Sequence, residues 1–258
     1  MPGSNAEPWI VTTPRKREDL EEKARETARR TGVPFVRRNE VSVKSFFEDA
    51  GLVAMYIEAA EAPIIQTRKG SFYYHENTAG MRTKIPGRVD AVIRALGVEP
   101  GDTVLDCTLG IGCDALVAAT ALETGTLTGI EVNPLLADLV RRGLENYEYS
   151  SEKLAAAASR IKVINSDYGK FLAGCEENVF DVVYFDPMFA LTVEASPSMQ
   201  RIRELAEKEP LAEGAIEAAL RAARKRVVIK GRRGCFGSLR FDSIVPSGRT
   251  VFYGIIEK

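Results

Sequence analysis

The chain has 258 residues, 45% of them hydrophobic and 28% charged, with a formal net charge of −1. That length suits one large α/β domain with a small appendage better than two full-sized domains. The balance argues against disorder and fibrous repeats, and no run approaches the roughly 18 uncharged apolar residues of a membrane span.

The N-terminus, MPGSNAEPWI, lacks the basic-then-apolar order of a signal peptide, which predicts a cytoplasmic protein. Next come a strand at WIVTT, a polar-faced helix from Arg17 to Arg30, and a second strand at VPFVRR after the Thr31-Gly32 stop. Ser42 caps a short helix to Ala50, and LVAMYIEA, APIIQT and SFYYH read as three further strands. The Gly, Pro and basic residues of GMRTKIPG, from Gly80 to Gly87, mark a boundary loop. Residues 1–80 are thus expected to form a small α/β subdomain, a candidate for substrate binding, and residues 81–258 the main domain.

From there helix and strand alternate. A helix over 88–96 ends at Gly97, followed by TVLDC (strand), Cys113 to Glu123 (helix), TLTGIE (strand) and Pro134 to Asn146 (helix). Then come IKVINSD (strand), Tyr168 to Gly174 (helix), FDVVYFD (strand), Ser198 to Ala223 (helix) and RVVIK (strand). Apolar strands alternating with helices predict a parallel, doubly wound sheet covered on both faces. The last two strands, FDSIV and RTVFYGIIE, are separated only by Pro246-Ser247-Gly248, too short for a crossover helix, so they are expected to close one edge as an antiparallel hairpin.

Chemistry concentrates at the strand ends. VLDCTLGIGCD places Asp106 at the end of the first parallel strand and Gly110 and Gly112 in the turn after it, where backbone can approach a ligand; the same glycines also suit an ordinary tight turn. Glu131, about 20 residues on, stands where a carboxylate can accept both ribose hydroxyls of an adenosine, and Asp167 follows the next strand in the adenine-binding position. The fourth strand ends in Asp186-Pro187-Met188-Phe189, which a reversal of strand order would set across the crevice from the glycine loop. The single histidine, His75, and four cysteines without a C-x-x-C pair all but exclude histidine triads and poly-histidine metal centres, so no metal is expected.

These residues, in this order and spacing, resemble class I S-adenosylmethionine-dependent methyltransferases. DPMF is similar to the (Asp/Asn)-Pro-Pro-(Tyr/Phe) motif of amino-directed nucleic-acid methyltransferases, with Met188 replacing the second proline. LDCTLGIGCDAL, GIEVNP and DVVYFDPMF resemble the bacterial ribosomal-RNA guanine-N2 methyltransferase family RsmJ and its YpiP-like relatives, over about residues 80 to 258. The resemblance implies a Rossmann-like seven-stranded sheet with a closing hairpin. It also implies a site for S-adenosyl-L-methionine formed by Asp106, Thr108, Gly110, Gly112, Cys113, Asp114, Glu131, Val132, Asp167 and Asp186. Asp114 is kept from the family pattern while Cys113 replaces an arginine, and LTVEASPSMQRI stands where the RNA-modifying members carry lysines.

The implied substrate is an exocyclic amine of a base, guanine N2, in ribosomal RNA. Asp186 and the Pro187 carbonyl would accept the two amine N–H groups and redirect the lone pair, while Phe189 stacks on the extruded base. Eight cations and no acid lie between Arg221 and Arg240, and Arg82, Lys84, Lys230, Arg232 and Arg233 are expected to border the crevice as phosphate contacts, with solvated loop charge the competing reading. Methyl transfer to protein or a small molecule, a dinucleotide-dependent oxidoreductase and a non-catalytic RNA-binding module are the alternatives.

Overall fold

The computed structural model describes residues 9–49, 52–85, 87–187, 211, 214–232 and 239–258. They fall into two compact units. One holds the described residues up to Tyr74 together with Asn133–Gly143, and the other holds the rest.

In the first unit, β1 (Trp9–Thr12) runs parallel to β2 (Ala54–Ile57), and β3 (Ile64–Thr67) and β4 (Gly70–Tyr73) continue antiparallel in the order β1-β2-β3-β4. A parallel pair needs a crossover, and α1 (Glu21–Thr31) and α2 (Val43–Asp49) lie in that connection. Gly32 ends α1 in the left-handed conformation, φ 71°, as glycine does at little steric cost. Ile10, Phe47, Leu52, Met55 and Ile57 form a buried cluster. VPFVRR is not a strand. It contributes one bridge, Val11 to Phe35, flanked by Val11 N–H to the Pro34 carbonyl and Val36 N–H to the Val11 carbonyl, because Pro34 has no N–H with which to extend a ladder.

This unit also contains a buried ionic network. Tyr56 donates to Asp138 at 2.7 Å, Arg30 to the same carboxylate at 2.6 Å, and Arg142 and Thr27 to Glu58 at 2.8 and 2.9 Å. Burial beside Asp138 pushes the Tyr56 phenol far above its ordinary range.

The second unit carries the seven-stranded sheet, in the order β10-β11-β9-β8-β5-β6-β7. Its strands are β5 (Thr103–Asp106), β6 (Thr126–Glu131), β7 (Ile161–Asn165), β8 (Phe180–Phe185), β9 (Ala223–Arg232), β10 (Ser243–Ser247) and β11 (Val251–Glu257). β5, β6, β7, β8 and β9 are parallel, and β11 pairs antiparallel to both β9 and β10. The order reverses at β5, where one crossover leads to β6 on one side and a later one to β8 on the other. Leu105, Val183, Phe185, Val227 and Ile229 are fully buried between the layers, each contributing about 1.5 to 3 kcal/mol.

The helices are α3 (Asn77–Thr83), α4 (Ala91–Leu96), α5 (Cys113–Ala119), α6 (Pro134–Asn146, most of it in the first unit), α7 (Glu152–Ala158), α8 (Tyr168–Ala173) and α9 (Ala215–Ala222). Residues 80–83, the start of the expected boundary loop, are helical, as the second half of α3, despite Gly80. The helix expected over 88–96 begins only at Ala91, since Asp90 caps it by accepting Val92 N–H at 2.9 Å. α7, capped by Ser151, was not anticipated. Of the helix expected over Ser198 to Ala223, α9 supplies Ala215–Ala222 and Ala223 already belongs to β9; residues 198–210, 212 and 213 lie outside the described residues. The closing hairpin forms, but its turn is Gly248-Arg249-Thr250. Pro246 and Ser247 lie in edge strand β10, where Pro246 pairs with Phe252 and a missing N–H is tolerated.

Candidate active site

The crevice forms where β5 and β8 end side by side. Cys107 N–H donates to the Tyr184 carbonyl at 2.9 Å, and Asp186 N–H donates to Thr108 Oγ1 at 2.6 Å, so the loops after both strands are tied together. Asp186 therefore faces the start of the glycine loop, as the strand reversal predicted, with Pro187 buried beside it.

The glycine loop is shaped by backbone geometry. Gly110 and Gly112 take φ of +53° and +74°, a region costly for other residues, and Gly112 leads into α5. Leu109 lies against Gly129 of β6, where a Cβ would come within 2.6 Å of it. Sequence reading missed that glycine; its position opposite the loop was the available signal.

Glu131, at the end of β6 and 8% exposed, accepts Gly110 N–H at 3.0 Å. The adjacent Val132 is 39% exposed, an apolar surface beside a carboxylate. Asp167, after β7, caps α8 by accepting Lys170 N–H at 2.8 Å. Asp186, Asp106, Glu131 and Asp167 thus follow four successive strands along one rim, spanning about 14 Å at the usual strand spacing.

Asp106 is buried and accepts Thr108 N–H at 3.0 Å; burial, with Asp114 and Asp186 nearby, pushes its carboxyl up to about 8. The folded state therefore holds a proton that the unfolded chain, at its ordinary value of 3.8, has released. This contribution to stability is complete below pH 4 and is lost as pH rises toward 8, by up to about 1.4 kcal/mol per pH unit. Asp106→Asn mimics the protonated acid. Between pH 5.5 and 8, urea unfolding should show a smaller loss of stability for this variant than for wild type, and equal losses would refute the burial argument.

Two of the residues expected at phosphate are engaged by carboxylates. Arg82, on α3, donates to both oxygens of Asp90 at 2.9 and 2.7 Å and also to Asp114. Lys230, on β9, bridges Asp114 and Asp186 at 2.8 and 2.7 Å. Although burial raises it, these cations hold the Asp114 carboxyl well below the usual carboxylate range. Cys113 Sγ lies 3.2 Å from Thr78 Oγ1. Lys84 is exposed at the end of α3, and Arg232 ends β9. Met188, Phe189 and Arg233 lie outside the described residues.

The basic segment is also less free than its sequence suggests. Arg224 pairs with Asp181, Lys225 with Glu99 and Asp102, and Arg226 with Glu257, while Arg221 donates to the Leu172 carbonyl. Each acid is distant in sequence, so a run with no interleaved partners acquires them through folding.

A glycine loop at the strand reversal, a rim of acids and an antiparallel β11 inside the sheet define a class I methyltransferase. The sequence profile of a family described as "Putative SAM-dependent methyltransferase" matches residues 63–235, and the chain belongs to that family. It is 36% identical to the "Uncharacterized protein YpiP" of Bacillus subtilis (strain 168), over 96% of this chain and 98% of that one. It is 29% identical to the ribosomal RNA small subunit methyltransferase J of Pseudomonas aeruginosa, over 83% of this chain and 82% of that one. In fold it resembles the SAM-dependent methyltransferase NGO1261 from Neisseria gonorrhoeae, with TM-score 0.63, 17% identity, and coverage of 96% and 95%. The protein is thus an S-adenosylmethionine-dependent methyltransferase rather than an oxidoreductase or a non-catalytic module.

The residues present suit that cofactor. A Cβ at Gly110 would meet no atom nearer than the Thr108 carbonyl at 3.9 Å, so the glycine loop is uncrowded there, and the Glu131 carboxylate that anchors it favours a cationic ligand.

Proposed function

We propose that the protein is a cytoplasmic enzyme that methylates an exocyclic base amine, guanine N2, in ribosomal RNA. The observation that carries this reading is the placement of Asp186-Pro187 at the β5/β8 crevice, with Asp186 fixed to Thr108 and Lys230. An aromatic amine is a poor nucleophile because its lone pair is delocalised into the ring. A carboxylate and a carbonyl that accept its two N–H groups turn that lone pair out of the ring plane, and holding it in line supplies most of the acceleration.

When bound, S-adenosylmethionine supplies an electrophilic methyl group on a positively charged sulfur. Glu131 would hold the ribose hydroxyls, Val132 would lie against the adenine, and Asp106 and the glycine loop would hold the amino-acid end. Phe189 would stack on a base extruded from its helix. The partial identity to methyltransferase J supports ribosomal RNA as substrate, and the likeness of Asp186-Pro187-Met188-Phe189 to the motif of amino-directed nucleic-acid methyltransferases supports an exocyclic amine as acceptor. Arg232 and Lys84 remain the candidates for phosphate contact, and residues 1–80 for wider substrate binding.

Labelled S-adenosylmethionine incubated with the enzyme and, in parallel, with total RNA or with protein fractions from cells lacking it should label small-subunit ribosomal RNA, at a guanine on nuclease digestion. Label confined to protein fractions would overturn this reading.

A further inference from the structure

Lys230 sits at the end of a line of alternating charges. Asp90 holds Arg82, Arg82 and Lys230 flank Asp114, and Lys230 reaches Asp186. Asp114, 10% exposed in its side chain, also accepts the Tyr184 hydroxyl at 2.7 Å, so the interior of the line is held from α3, α4, α5, β8 and β9. Asp186 is the open end, with 38% of its side-chain surface exposed. Its main chain is fixed by Thr108, yet its carboxylate still has rotamer freedom unless something holds it.

We infer that Lys230 is a positioning residue for methyl transfer: it grips one carboxylate oxygen of Asp186 so that the other is presented to the acceptor amine. The inference rests on the proposed role of Asp186. A lysine suits the task because its ammonium has three donors and can serve Asp114 and Asp186 together. Its charge has a second effect. Asp186 is faced by Lys230 from β9, Asp114 from α5, Arg82 from α3, Asp106 from β5, Tyr184 from β8 and Tyr253 from β11. Removing the lysine leaves carboxylates facing one another with Arg82 as the remaining cation among the described residues, which favours the protonated form of Asp186. Protonation turns one carboxyl oxygen into a donor and leaves the other a weaker, uncharged acceptor, so it holds the amine N–H less firmly than a carboxylate does.

The test compares Lys230→Met and Lys230→Arg with wild type. Carbon-13 carboxyl titration, with the Asp186 resonance identified by its loss in Asp186→Ala, needs no RNA substrate. It should place the Asp186 midpoint about one unit higher in Lys230→Met, with Lys230→Arg close to wild type. On ribosomal RNA, Lys230→Met should lower kcat about 10²-fold and shift the acid limb of the kcat–pH profile upward, while S-adenosylmethionine affinity by calorimetry changes less than about threefold. Lys230→Arg should restore kcat to within about tenfold of wild type. If the methionine variant does not fold, Lys230→Gln, which keeps an amide donor without the charge, takes its place with the same shifts expected. An unmoved Asp186 midpoint, or a kcat within about threefold of wild type, would overturn the role of Lys230. Full activity of Asp186→Ala would instead remove the reading on which it rests.

Discussion

Asp186→Ala is expected to reduce methyl transfer at saturating cofactor by at least about 10²-fold while leaving the fold nearly intact. The loss follows from the task proposed for the acid, holding the acceptor amine in line for attack; misplacing a reacting group by an ångström costs about that much. Stability should change little because the side chain is more than a third exposed and Lys230 keeps Asp114 as a partner. Single-turnover rates with saturating cofactor, read beside thermal melting, separate the two effects. Transfer at a rate close to wild type would remove Asp186 from the chemistry.

Glu131→Ala should weaken S-adenosylmethionine binding by about 2 to 4 kcal/mol, roughly 30- to 10³-fold in Kd, through two charge-assisted hydrogen bonds to the ribose. The same carboxylate holds Gly110 N–H at 3.0 Å, so its removal also releases the glycine loop. Calorimetry with S-adenosylhomocysteine should show a similar loss, since the ribose is common to both. Affinity unchanged by the substitution would take Glu131 out of the site.

The parallel half of the fold was legible because buried parallel strands read as apolar runs, and the helices between them have clear stops such as Gly97. The same logic located Asp106, Glu131 and Asp186, since ligands collect at the carboxyl ends of strands. The second half of α3 was not legible: Gly80, Pro86 and Gly87 gave a loop signal that packing overrode at residues 80–83. Most of the cations from Arg221 onward could not be assigned either. Lys225 meets Asp102 across 123 positions and Lys230 meets Asp114 across 116, and no local pattern announces pairs at such separations. Their charge, read locally as a surface for phosphate, is largely neutralised within the protein.

The outer strand β10 bears on how the enzyme behaves in concentrated solution. An unpaired strand is a template on which another chain can add, and Ile244 of β10 is 57% exposed. At Pro246 the strand has no N–H to offer, and its carbonyl already accepts Arg94 Nη2 at 3.5 Å. An incoming strand finds the ladder interrupted midway, at a point guarded by a guanidinium. Among the described residues, the closing hairpin therefore gives the sheet a border ill suited to the addition of another strand.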